Sequence, residues 1–443
     1  MQREQELAAA VVRASAEAKK RESSPAAWHA WALSLHELAQ QQQSRSRRLT
    51  PSGDPSQPSA YRSPEELLRD ASSKYTTAFS LADNPSTSYR LLYNHGVALS
   101  DLARTVHSPN ERASASQQAA ELYRRAAESA DSFATSATSS SSPQAATVYA
   151  TSLNNRGLSF QQAACDHSSS LSLIEQINHL KLAAASFRDA VRSDTSFHRA
   201  CYNLGTVWHS FASVIADIPS DSAERDQSSE LAANEAASIA AAFPSTKRAS
   251  ALDNAIQNCR SLSAAYIALA CAINTASKPA VYTRSLKLVH HYLANEYLYR
   301  ANALAQLAVG ESHLELLTWA HRSHGSVENE WRDVCVCVSP QQLEIYLIEH
   351  QDYLQEESND LLVAQVDVAD IECSENVGDV SLPMNFGVWI SLTSGHSLCL
   401  CTHSVVAMDA LATVLLLTSS VRCNGNSHAL SGFIDGSALT DEH

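Results

Sequence analysis

Two pairs of cysteines stand at a spacing that can carry chemistry. Cys335 with Cys337, and Cys399 with Cys401, form C-x-C pairs inside β-branched and apolar runs. On an extended strand, residues two apart project from one face, so each pair presents its thiols together. Were the two strands neighbours, four sulfurs would gather around one zinc ion. Zinc motifs usually space their cysteines across a turn, however. Two sulfurs along one strand are expected to lie too far apart to chelate easily, and buried cysteine is ordinary core material. No metal and no cofactor is therefore expected. His290, His291, His313, His321 and His324 add no ligand set, because none belongs to an H-E-x-x-H or carboxylate pattern. Arg45, Arg47 and Arg48 cluster in a Pro/Ser-rich stretch, which reads as a docking or phosphorylation element or as a solvated linker.

Glycine is scarce, at 12 of 443 residues, against an average usage of about 7%. The sequence contains no G-x-x-x-x-G-K-[ST], no G-x-G-x-x-G and no G-x-S-x-G. Phosphate loops, dinucleotide folds and serine-hydrolase elbows lose their usual signatures. With the C-x-C pairs as the one remaining catalytic feature, a non-enzymatic interaction protein is expected.

The elements that position these residues follow from composition and period. Up to about residue 330 the chain is rich in Ala, Leu, Gln, Glu and Arg, which are good helix formers. Ser- and Pro-rich breaks at 44–64, 131–143 and 218–228 read as solvated loops. Inside the helical patterns, Asn-x-Gly recurs at Asn94–Gly96, Asn155–Gly157 and Asn203–Gly205. Second helical stretches carry Ala-x3-aromatic-x2-Ala at Ala71/Tyr75/Ala78, Ala119/Tyr123/Ala126 and Ala183/Phe187/Ala190. Ala32 takes the glycine position in a further first helix around Trp28–Ala39. These are features of the tetratricopeptide repeat (TPR), a helix–turn–helix of about 34 residues. Small residues let two helices approach, and the aromatic fills the space between hairpins. A lone hairpin cannot bury its apolar face, so several must stack. Four repeat-like pairs are expected, at about 26–82, 87–130, 146–193 and 197–243, in a TPR-like solenoid over 1–325.

First helices line the inner wall of such a solenoid. Residues i and i+4 share a helical face, which pairs Arg90 with Asn94, Thr151 with Asn155 and Arg199 with Asn203. Arg90, Asn94, Asn155, Arg199 and Asn203 are therefore the candidate partner-binding groove. Arginine can hold a carboxylate bidentately and an asparagine amide can bond a peptide backbone. The structural alternative is that the asparagines tie neighbouring helices together. A carboxylate clamp of the kind found in chaperone-binding TPR proteins would need more lysines than these helices supply.

The period changes after about residue 330. Val334–Val338, Leu343–Ile348, Leu361–Val368, Val388–Leu392 and Leu398–Cys401 are short apolar segments separated by turn signals, which predicts an antiparallel meander. Ser404–Val421 returns to helical spacing with Ser404 as N-cap. Five to seven strands and one amphipathic C-terminal helix make the layout of a pleckstrin-homology-like (PH-like) barrel over 331–425. The helix would plug one open end. A generic antiparallel α+β domain is the alternative, and 426–443 reads as a flexible acidic tail. The fold class is thus mainly α: a helical-hairpin solenoid followed by a small antiparallel β domain.

Charge is uneven along the chain. Of the 47 acidic side chains, 16 follow Glu330, against two of the 32 basic ones, Arg332 and Arg422. Such a region repels nucleic acid and anionic lipid, so neither nucleic-acid nor direct phosphoinositide binding is expected. The first residues lack the apolar core of a signal peptide, and Val405–Leu417 is short for a bilayer and contains Asp409. A cytoplasmic location without a transmembrane segment is expected, with reduced thiols.

Taken together, Ser196–Val207 (SFHRACYNLGTV), Tyr93–Ala103, Leu153–Leu158 and Val281–Val289 resemble one plant family, with looser likeness over Val366–Cys373 and Asp379–Ile390. It is the TPR-containing family known for hypersensitivity to the actin drug latrunculin B, whose architecture is TPR repeats followed by a PH-like module. The resemblance implies a scaffold at the trans-Golgi network or early endosome that couples vesicle traffic to actin, with ARF exchange factors or actin-linked proteins as partners. The chain departs from that family in two places. The proline-rich connector with a Trp-Lys-Arg run is replaced over 294–321 by a stretch that reads as helix, and Ala407–Leu417 has no tryptophan. A divergent member fits these differences. A TPR co-chaperone that grips acidic peptides is the alternative function.

Overall fold

The computed structural model describes residues 2–48, 62–82, 85–136, 142–166, 171–216, 251–274, 280–290, 299–307, 317–318, 330–347, 361–377, 386–402 and 405–424. Among these residues the protein is mainly helical, with eleven α-helices and one antiparallel sheet. The chain divides into two compact units, Met1–Ser193 and Asp194–His443.

The first unit is built of α1 (Gln2–Lys20), α2 (Pro25–Arg48), α3 (Pro64–Ser80), α4 (Pro85–Thr105), α5 (Pro109–Ser136), α6 (Ser142–Ala164) and α7 (Leu173–Ser193). Each helix packs chiefly on the next in sequence, and α4 also touches α2 and α6. Helix starts follow local chemistry. At α3, the Ser63 hydroxyl accepts from the Glu66 amide at 3.2 Å, the Glu66 carboxylate accepts from the Ser63 amide at 2.9 Å, and Pro64 sits at the first helical position. This capping box satisfies two amides that the helix leaves open. Ser172 and Glu175 make the same exchange before α7.

The repeated small and aromatic positions pack as knobs. Tyr75 and Phe187 are fully buried and Tyr123 is 2% exposed, with the flanking alanines of each motif at 0%. A Cβ added at Gly96 would lie 2.9 Å from Tyr123 Cε1, and one at Gly157 would lie 2.6 Å from Phe187 Cε1. Tyr123 of α5 and Phe187 of α7 therefore press on the bare backbone of α4 and α6. Helices α2 and α5 run further than the loop signals suggest. Arg45–Arg48 close α2 rather than opening a loop at 44, and α5 continues to Ser136.

The second unit contains α8 (His198–Ala216), α9 (Ala251–Ile273), α10 (Ala280–His290), an eight-stranded sheet and α11 (Val405–Cys423). Helix α8 pairs with α9. A Cβ at Gly205 would lie 2.7 Å from Ile267 Cγ1 and 3.0 Å from the Ser263 carbonyl oxygen. The hairpin contact thus recurs with Ser263, Ile267 and Ala270 in place of Ala, aromatic and Ala. The expected second helix of this pair, ending near 243, lies outside the described residues, as do the 218–228 loop and the 426–443 tail.

The strands are β1 (Tyr299–Leu307), β2 (Leu317–Thr318), β3 (Glu330–Val338), β4 (Gln342–Leu347), β5 (Leu361–Asp367), β6 (Ile371–Val377), β7 (Gly387–Leu392) and β8 (His396–Thr402). Their order is β5-β4-β3-β1-β8-β7-β6, with β2 on β8, and every pairing is antiparallel. Strand β1 corrects the helical reading of 294–321 over Tyr299–Leu307 and puts sheet inside the range 1–325. Its Ala and Leu residues favour helix in isolation, but it lies between β3 and β8, and two ladders of backbone hydrogen bonds override that preference. Gly395 (φ 82°) closes the β7–β8 turn in the left-handed region, which a side chain would disfavour.

Helix α11 is buried on nearly every face, from Ala407 through Val421, rather than amphipathic. It lies against β6 on one side and touches α9 on another, and a helix covered all round is apolar all round. It is long and apolar enough to cross a membrane by composition, with 67% of that window buried inside the protein. Its polar groups are satisfied internally. Thr413 and Thr418 donate to carbonyls one turn back at 2.6 and 2.7 Å, Ser374 donates to the Ala412 carbonyl at 3.1 Å, and Asp409 accepts from Asn376. At its C-terminal end Arg422 forks onto both carboxylate oxygens of Asp367 at 3.0 Å and donates to the Gln341 carbonyl at 2.6 Å.

Candidate functional site

The residues expected to line a groove divide between the units. Arg90, Asn94 and Asn155 lie on first helices of the first unit, and Arg199 and Asn203 lie on α8 in the second. Asn94 Nδ2 meets His29 Nε2 of α2 at 3.0 Å, and Asn155 Nδ2 donates to the Tyr93 hydroxyl of α4 at 3.3 Å. Each of these amides reaches the preceding first helix. Arg90, exposed, donates to Gln144 at the start of α6. Arg199 is exposed. On the same helix, Tyr202 stacks on Tyr282 of α10 at 4.2 Å, and His198 Nδ1 meets the Tyr282 hydroxyl at 3.0 Å.

The α2–α4 contact is a polar seam that the repeat motifs do not mark. His36 Nε2 meets Asp101 Oδ2 at 2.8 Å, Gln40 donates to the same oxygen at 2.8 Å, and Gln43 donates to Thr105 at 2.5 Å. His36 and Asp101 are each 6% exposed. Burial alone would raise the Asp101 pKa. The hydrogen bonds from His36 and Gln40 and the charge of Arg104 outweigh it and bring the carboxyl down to about 2. The signal available in sequence is a spacing of seven: His29, His36 and Gln43 on α2, with Asn94 and Asp101 on α4. His95, between these positions, turns to α3, where Ser72 Oγ lies 2.7 Å from its Nε2 and Tyr75 stacks on its ring at 5.7 Å. Burial, with a smaller effect from the Arg125 charge, lowers its pKa to about 4.

Another face of α4 forms the floor of a groove of about 520 Å³ between α3 and α5. Leu99, Leu102 and Val106 make the floor, with Ser72, Ser73 and Thr76 on one wall and Ser114 and Gln118 on the other. Arg69 of α3 and Glu111 of α5 also line it and pair at 2.9 Å. Most of its wall groups are engaged within the protein: Ser72 Oγ by His95, the Thr76 hydroxyl by the Ser72 carbonyl at 3.1 Å, and the Gln118 amide by the Ser114 hydroxyl at 3.1 Å.

The cysteine pairs occupy β3 and β8, and β1 runs between these strands, so four sulfurs are not brought to one point. Within one pair, however, the expectation of distant sulfurs fails: Cys335 Sγ and Cys337 Sγ lie 3.8 Å apart. Cys399 and Cys401 are 2% and 0% exposed, and the hydrogen bond between them, with burial, pushes the Cys401 thiol well above its ordinary pKa. Among the described residues, no three His, Cys, Asp or Glu side chains converge as a metal site. His290 ends α10, and His291, His313, His321 and His324 lie outside the described residues. Arg45, expected in a solvated stretch, pairs instead with the buried Glu4 of α1 at 2.8 Å. No known family model matches the chain, and no curated protein does.

Proposed function

We propose that the chain is a non-enzymatic protein-interaction scaffold, with a TPR-like solenoid and a PH-like module. The observation that carries this reading is the recurrence of one hairpin contact, in which a bulky side chain of the second helix presses on a glycine of the first, at Gly96, Gly157 and Gly205. Repetition of one packing unit extends a surface without building a closed catalytic cavity. The groove over Leu99, Leu102 and Val106 is the partner site in this reading, and Asn94 and Asn155 serve as staples between first helices. The strand order supports the PH-like reading. Without β2, seven strands run 4-3-2-1-7-6-5 and are followed by a helix. Arg422 is engaged by Asp367, which favours a protein partner over an anionic headgroup for this module. By the family resemblance, the setting is cytoplasmic, peripheral at the trans-Golgi network or early endosome, between vesicle traffic and actin.

Affinity capture with the full chain, compared with a Ser73→Arg/Ser114→Arg variant that fills the groove, tests the reading. Trafficking or actin-regulating proteins captured by the parent and lost in the variant support it. Equal capture by both moves the partner site elsewhere. Chaperones alone, lost on charge reversal at Arg90 and Arg199, establish the co-chaperone alternative instead.

A further inference from the structure

The sheet of the second unit ends in β5 on one side and β6 on the other. Among the described residues β6 pairs with β7 alone. Its other edge therefore presents backbone amides and carbonyls with no strand beside them, which is a template for one more strand. The register slips once, between Ile371 and Cys373, and then runs regularly from Cys373 to Val377. A run of this length is an ordinary strand. Its two faces differ. Ser374 and Asn376 turn to α11, where they donate to the Ala412 carbonyl and to Asp409. Cys373 and Glu375 alternate with them and share the opposite face, Glu375 exposed and Cys373 partly so.

Charge selects the occupant of this edge. Asp370, Glu372 and Glu375 are exposed, and among the described residues none of them forms an ion pair. After Glu330 only Arg332 and Arg422 are basic, and Arg422 is engaged by Asp367. The opposite edge differs, because that same Asp367 is the one carboxylate of β5. We propose that the free edge of β6 docks an extended basic peptide, which joins the sheet as a further strand and brings lysine or arginine side chains to Glu372 and Glu375. Opposite charges on adjoining strands attract and like charges repel. A second copy pairing through β6 would bring the glutamates of both copies together, and a nucleic acid or anionic headgroup would meet the same negative field. The backbone ladder gives such a complex its affinity, and the alternate side chains choose the sequence. This docking rests on the sheet being a protein-binding module, as proposed above, and not on the groove of the first unit.

The test is fluorescence anisotropy of the full-length protein with the labelled peptide Lys-Val-Lys-Val-Lys-Val-Lys at low ionic strength. Two control peptides accompany it. One has glutamate in place of every lysine, and the other is N-methylated at every residue, which keeps the charge and removes every amide donor. The lysine peptide is expected to bind saturably, the glutamate peptide not at all, and the N-methylated peptide about tenfold or more weakly. A Glu372→Lys/Glu375→Lys protein should lose about tenfold or more in affinity for the lysine peptide. Both positions are exposed, and a thermal unfolding curve matching the parent's checks that the variant is folded. Absence of binding by the lysine peptide overturns the proposal. So does equal binding of the N-methylated peptide, which would mean attraction by charge alone, or unchanged binding by the folded variant, which would move the site elsewhere. The N-methyl comparison uses the unaltered protein and decides the matter even if the variant does not fold. Capture lost on Ser73→Arg/Ser114→Arg while the edge takes up no peptide refutes the edge and leaves the groove reading standing.

Discussion

Replacing Gly157 by alanine tests the hairpin contact directly. The added Cβ would stand 2.6–2.8 Å from three ring atoms of Phe187, where carbon atoms prefer about 3.5–4.0 Å. Phe187 is fully buried between Ala183 and Ala190, also at 0% exposure, so the ring has to move about 1 Å inside a closed core. Overpacking of this kind costs about 1–3 kcal/mol, and this geometry belongs near the upper end. Alanine in a helix interior returns about 1 kcal/mol of propensity. The net expectation is a loss of about 2 kcal/mol for Gly157→Ala. At Gly96 the corresponding distance to Tyr123 is 2.9 Å. Its smaller clash nearly balances the propensity gain, to within about 1 kcal/mol.

Urea unfolding of the full-length chain, followed by circular dichroism with the slope held as a check on the transition, measures the difference. Phe187→Leu, which removes the ring edge, should rescue part of the loss. The double-mutant cycle should then give a coupling above about 1 kcal/mol between the two positions. If Gly157→Ala is as stable as the parent, or gains the full propensity term, the glycine is not a packing requirement and the shared-contact reading of the repeat fails.

Acid should loosen the first unit in two separable steps. His95 has a folded pKa of about 4 against about 6.5 unfolded, so the unfolded chain binds more protons between those values. Stability falls as pH drops through that window, by about 3 kcal/mol from this residue alone, and His95→Gln should flatten the pH dependence of the unfolding midpoint. His29 and His179, also lowered by burial, act in the same direction. Asp101, held at about 2, stabilises the fold above its ordinary value of 3.8 and loses that contribution as pH falls toward 2, so its effect is confined to the more acidic limb. Asp101→Ala, which leaves His36 and Gln40 without their shared acceptor, should cost about 1–3 kcal/mol at neutral pH in the same unfolding assay. Ser63→Ala breaks the α3 capping box and should cost about 1 kcal/mol, read as faster amide exchange in the first turn of α3.

Much of the helical part was legible because the packing chemistry is local. A small residue four before an aromatic and another three after it mark one face of one helix, and the three copies found this way are the buried knobs at Tyr75, Tyr123 and Phe187. The contact at Gly205 lacks that signature because Ile267 replaces the aromatic and Ser263 the first alanine, which keeps the shape and loses the residue types. Strand β1 is unmarked for the opposite reason. Its composition favours helix, and what makes it a strand is partners thirty and a hundred residues away in sequence, roughly. For α11, the helix itself was read with nearly its observed limits, but its exposure was not, because the second surface that covers it belongs to α9.

The site was harder to read than the fold, for a reason visible in α4. Residues i and i+4 fix which side chains share a face, but not what stands opposite that face. Asn94 lies on the α2-facing side of α4, where His29 takes its amide, and Asp101, two turns on, meets His36 and Gln40. Polar residues at a spacing of seven, set among apolar ones, thus hold two first helices together before they can serve a ligand. The same helix presents Leu99, Leu102 and Val106 to the groove between α3 and α5. Buried hydrogen bonds fix the approach of α2 and α4 because leaving any of those partners unpaired costs more than the bond contributes. The space that remains falls between α3 and α5, over Leu99, Leu102 and Val106. In the first unit, polar residues that match in spacing therefore mark the seam between α2 and α4.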